Sequence, residues 1–190
     1  LSTVFTASGT GTAVAGLGSA NMTVSGAFTA ANLNTLEDLT SGIISGTVTD
    51  TSRALLLHAT AGADDTTRVH NVDMVIDEDS VAAADLIAID AKTTGTVTTH
   101  ATVATITGSA ADLITVYDTA ATQIAALGNE AITVTGGITV AQLNTLASKT
   151  TGIVTATVSD TTAAALTGIT ETTNNILLTV GDTTVAAADL

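Results

Sequence analysis

One phrase recurs along the chain and constrains its fold more than any other feature. Val81-Ala-Ala-Ala-Asp-Leu86 runs on to Lys92-Thr-Thr-Gly95, and Val140-Ala-Gln-Leu143 leads to Lys149-Thr-Thr-Gly152. Ala30-Ala-Asn-Leu33 leads to Thr40-Ser-Gly42, and Val185-Ala-Ala-Ala-Asp-Leu190 supplies a fourth copy. Recurrence of this kind marks stacked supersecondary units, each too small to bury its apolar face alone. Laid ungapped at an offset of 110, residues 15–51 match residues 125–161 at 19 of 37 positions. Val81–Leu86 returns at an offset of 104. The text divides into units of about 52 residues, paired into super-repeats of about 105–110. The anchoring leucines Leu33, Leu55, Leu86, Leu113, Leu143, Leu166 and Leu190 lie 22, 31, 27, 30, 23 and 24 apart, so each unit halves again. Leu1 and Leu190 both fall inside repeat text, so residues 1–190 read as one continuous array cut from a longer chain.

Each half-unit reads as strand, turn, short helix, turn. Strands are expected at 22–25, 43–49, 72–76, 96–106, 131–135, 153–159 and 176–180. These runs are rich in Val, Ile and Thr, whose branched β-carbons suit a pleated surface. Clusters such as Asp50-Thr51-Ser52, Gly108-Ser109 and Asp160-Thr-Thr162 follow the strands and offer oxygens to cap the helices that come next. Helices are expected over Val81–Lys92 and Val140–Lys149, with Lys92 and Lys149 compensating the dipole in the last turn. The fold this implies is α/β: a solenoid of strand–short-helix coils of about 26 residues, carrying a parallel sheet. A pure β-helix and a tandem array of immunoglobulin-like β-sandwiches are the alternatives. The first would turn Ala-Ala-Ala-Asp into strand; the second wants strands at every 8–12 residues and a core aromatic.

Composition narrows the function. Aromatic residues make up 2% of the chain and there is no Trp, so the core must be thin and evenly layered. Cysteine is absent, which removes disulfides and thiolate metal sites, and proline is absent, which favours uninterrupted ladders. A net charge of −14 with four basic residues (Arg53, Arg68, Lys92 and Lys149) repels nucleic-acid phosphates and anionic membranes. No apolar run approaches the ~18 residues of a membrane-inserted helix. His58, His70 and His100 occupy unrelated repeat positions with no metal-ligand spacing, and read as solvated loop or edge residues. Asp64-Asp65 and Asp77-Glu78-Asp79 are the acidic clusters, and Asp77 and Asp79 are candidate calcium ligands if backbone carbonyls complete the shell. No GxSxG elbow and no GxxxxGK[ST] loop occurs; Gly9-Thr-Gly11-Thr12 and Gly16-Leu-Gly18 match a phosphate loop only superficially. No catalytic residue and no cofactor other than candidate calcium is expected.

The stretches 81–95 and 139–152 resemble repeats of very large cyanobacterial cell-surface proteins of the β-strand-repeat type, similar in style to the swimming-motility surface protein of marine Synechococcus. The resemblance implies an extracellular structural or adhesive role and brings no catalytic residue with it. The expectation is a structural segment of an extracellular fibre or cell-surface polymer that stacks end to end on copies of itself. An adhesin or phage-fibre module contacting glycans is the alternative, and an enzyme on a β-helix scaffold ranks last.

Overall fold

The computed structural model describes residues 17–57, 68–118, 122–182 and 184. His58, Asp64-Asp65, the glycines before Leu17 and the Val185–Leu190 copy lie outside the described residues.

The chain is α/β, with two five-stranded parallel sheets and six helices among the described residues. In chain order the elements are β1 (Met22–Phe28), α1 (Ala30–Glu37), β2 (Ile44–Val48), α2 (Arg53–Leu57), β3 (Asn71–Ile76), β4 (Ser80–Ala82), α3 (Ala83–Asp90) and β5 (Val97–Thr99). There follow β6 (Thr105–Gly108), α4 (Ala110–Tyr117), β7 (Ile124–Ala125), β8 (Ala131–Ile138), α5 (Val140–Ala147), β9 (Val154–Val158), α6 (Ala163–Leu166) and β10 (Asn175–Leu177). One sheet has the order β1-β2-β3-β5-β7, the other β10-β9-β8-β6-β4. The chain forms two compact units, one containing Leu1–Glu78, Ala88–His100 and Gln123–Ala125, the other the remaining segments.

Every strand pairing among the described residues is parallel, unlike an antiparallel sandwich, and the helices there are unlike a purely β coil. In the first unit α1 packs on β2, burying Leu33 and Leu36 with Ile44 and Val48 in the core. In the second, α5 packs on β9 and buries Leu143 and Leu146 near Val154 and Val158. A helix of eight residues is marginal alone, so these helices depend on that packing.

The offset of 110 persists in the ladders. Met22 pairs with Ile44, Thr23 with Ser45, Ala27 with Thr47 and Phe28 with Val48. At 110 residues further on, Ile132 pairs with Val154, Thr133 with Thr155, Gly137 with Thr157 and Ile138 with Val158. Both ladders slip at the same place, where Gly26 and Gly136 adopt φ of +89° and +86°, a left-handed conformation that glycine tolerates.

Four expectations need correction. The run 96–106 is two strands: β5 ends in the first sheet, where the His100 amide donates to the Ile76 carbonyl, and β6 belongs to the second. Threonine- and valine-rich text has strand propensity throughout and does not register the turn at Ala101-Thr102. The helix expected from Val81 starts at Ala83, because Val81 is already committed to pairing with Ile106. Lys92 and Lys149 fall beyond the last turns of α3 and α5, so neither compensates a dipole from within. Leu56 is fully buried, whereas Leu55, the expected anchor, is 50% exposed.

Candidate functional site

The most regular arrangement of side chains is a clamp made by Thr-Ser/Thr-Gly. Thr40, Thr93 and Thr150 each donate a hydroxyl to a carbonyl 20 or 21 residues earlier: Ala20, Val72 and Glu130, all at 2.6 Å. Each hydroxyl in turn accepts the amide of the glycine two residues on, at 2.9 Å from Gly42, 2.8 Å from Gly95 and 2.9 Å from Gly152. The intervening residue completes the set: the amides of Ser41, Thr94 and Thr151 donate to the carbonyls of Gly18, His70 and Gly128 at 2.8 Å. Glycine is required by close approach, since a β-carbon at 42, 95 or 152 would be driven into those same carbonyls of Ala20, Val72 and Glu130. The recurring Thr-Ser/Thr-Gly therefore ties the entrances of β2, β5 and β9 to those of β1, β3 and β8.

A second recurring device caps helices across the same interval. Asp50 accepts the Ala30 amide at the start of α1, Asp160 the Val140 amide of α5 at 2.7 Å, and Asp182 the Ala163 amide of α6 at 2.7 Å. Glu78 does the same for Arg53 at the start of α2, at 2.7 Å. Asp50 and Asp160 were expected to cap the helix that follows them. They serve the helix before, where a negative charge meets unpaired amides at a positive dipole end. The local caps are hydroxyls: Thr29, Ser109, Thr139 and Thr162 accept from the amide three residues on.

Two buried carboxylates break the pattern. Glu37, at the end of α1, places Oε1 2.7 Å from His70 Nε2, and both side chains are buried. His70 Nδ1 accepts the Ile44 amide at 3.1 Å, so Nε2 carries the proton and donates to the carboxylate. Glu37 Oε2 is buried without a hydrogen-bond partner. The expectation of a solvated His70 is thus overturned: tertiary packing places it in the core as a backbone acceptor. At the equivalent place in the other unit, Asn174 Oδ1 accepts the Val154 amide at 2.9 Å. Glu130 is the second buried carboxylate; its Oε2 accepts the amides of Gly128 and Asn129 and the hydroxyl of Tyr117 at 3.2 Å. Burial first, then the charge and hydrogen bond of Glu130, push the Tyr117 phenol well above its ordinary value.

Glu37, Glu130 and Tyr117 were not legible as a set. The available signal was the departure of the two copies from each other: Glu37 stands where Ala147 does, and Glu130 where Ala20 does.

Compared with protein-family models, with curated proteins and with solved structures, the chain matches none.

Asp77 and Asp79 are the remaining candidates. Asp77 belongs to the first unit, with Oδ1 3.4 Å from Nδ1 of a half-exposed His100. Asp79 belongs to the second, where its carbonyl accepts the amides of Ala104 and Thr105. Among the described residues no group of three or more His, Asp or Glu side chains could hold a metal ion. No described helix is long and apolar enough to cross a membrane. An open cleft of about 410 Å³ runs past Glu37, Thr40, Ser41 and Arg68, with the Arg68 Nη1 donating to the Thr40 carbonyl. A smaller hollow of about 210 Å³ lies between Tyr117 and Lys149.

Proposed function

We propose that the chain is a structural repeat segment of an extracellular fibre or cell-surface polymer, a solenoid of coils of about 26 residues stacked end to end. One observation carries this reading: the residues that recur are those that bind one coil to the next. The threonine of each clamp and the cross-coil aspartate spend their side-chain oxygens on backbone groups about 20 residues away, and the clamp glycine lets that backbone approach. Side chains held in place for chemistry would instead converge on a cleft. A glycan-binding adhesin grips sugars with outward aromatic side chains, and here Phe28 and Tyr117 are buried. The charge of −14 keeps such a polymer soluble by self-repulsion.

The test is a tandem of two copies of residues 1–190 in one polypeptide. A continuous stack lengthens the maximum dimension in small-angle scattering and raises the melting temperature, because each added coil gains a neighbour. Two transitions at the melting temperature of the single copy would sink the reading.

A further inference from the structure

β10 and the three residues that follow it repeat a stretch that is paired on both sides elsewhere in the chain. Asn175, Ile176 and Leu177 pair with Thr155, Ala156 and Thr157 in the register by which Asn71, Val72 and Asp73 pair with Ser45, Gly46 and Thr47. The next three residues of β3, Met74, Val75 and Ile76, pair with Val97, Thr98 and Thr99 of β5, and Met74 and Ile76 are fully buried. Their counterparts at an offset of 104 are Leu178, Thr179 and Val180. Among the described residues no strand pairs with them, and Leu178 and Val180 are 44% and 43% exposed. Neither charge nor proline blunts this edge, the usual protection of an open strand.

β1 shows the complementary edge. Its counterpart β8 is paired on both sides, and β6 covers residues 131–134. The equivalent residues 21–24 of β1 have no strand on that side among the described residues.

We propose that the Leu178–Val180 edge receives β1 of a second copy of this chain, which adds in parallel at Met22–Val24 and continues the ladder head to tail. This rests on the end-to-end stacking proposed above and names the two edges that meet.

The cysteine-free chain allows a direct test. Thr179→Cys and Thr23→Cys, both at exposed positions, are mixed under oxidised glutathione, and sedimentation velocity follows the wild type and a Leu178→Lys, Val180→Lys variant. The expected result is a disulfide between the two cysteine variants that forms faster than in either alone, and self-association weakened about tenfold or more by the lysines. An unchanged melting temperature of the dilute lysine variant separates lost docking from lost folding. Self-association that survives the lysines, without the mixed disulfide, overturns the edge assignment alone. A wild-type chain that stays monomeric at its highest attainable concentration overturns the stacking as well.

Discussion

The Thr93 hydroxyl donates to the Val72 carbonyl at 2.6 Å while accepting the Gly95 amide at 2.8 Å, so one side-chain oxygen ties the entrance of β5 to β3 and closes its own turn. Thr93→Val keeps the shape and removes both bonds. In this buried setting it is expected to cost about 1–3 kcal/mol. Thr150→Val, at a half-buried position, should cost less than the same change at Thr93. Gly95→Ala should exceed either, because the added carbon meets backbone that cannot yield. Urea denaturation of the three variants checks the order; equal losses would contradict the clamp.

The carboxylate of Asp160 caps α5, the helix before it, while Thr162 caps α6 after it. Asp160→Ala should cost about 1 kcal/mol. Amide exchange locates the loss: the Val140 amide should exchange faster, with the Ala165 amide unchanged. Faster exchange at Ala165 alone would return Asp160 to a local cap.

The first unit uses Glu37 with His70 where the second uses Ala147 with Asn174. His70→Asn preserves an acceptor for the Ile44 amide but strands the buried carboxylate, at an expected cost of about 3 kcal/mol or more. Glu37→Ala leaves the His70 Nε2 proton unpaired, for about 1–3 kcal/mol. The double variant imports the arrangement of the other unit and should be more stable than His70→Asn alone. A double variant with additive losses would show that the pair is not exchangeable as a unit.

Tyr117 is the only tyrosine, and its phenol is held protonated by burial and by Glu130. Its ionisation lies higher in the folded than in the unfolded chain, so the folded state holds the extra proton on the alkaline side. The contribution to stability is complete below the ordinary value of 10.0 and fades as pH rises above it. Stability should therefore fall with pH in that window, and Tyr117→Phe should flatten the slope. Tyrosinate absorbance that rises before unfolding would contradict the burial.

Sequence by itself determined the periodicity, the α/β class, and the positions of Leu33, Leu86, Leu113 and Leu143, all fully buried. These follow from local text: an apolar residue at a recurring place, branched residues in short runs, and a small-residue phrase that can form a helix. Tertiary structure decided where one run became two strands in different sheets, which helix each aspartate caps, and that His70 and Glu37 share the core. The reason is common to all three. A hydrogen bond to a residue 20 to 33 positions away leaves no trace in local propensity, since donor and acceptor are ordinary Thr, Asp or His until the strands and helices are packed together. Thr-Thr-Gly was visible as a repeated phrase, but its carbonyl partners at Ala20, Val72 and Glu130 share no side-chain chemistry, because the clamp holds backbone.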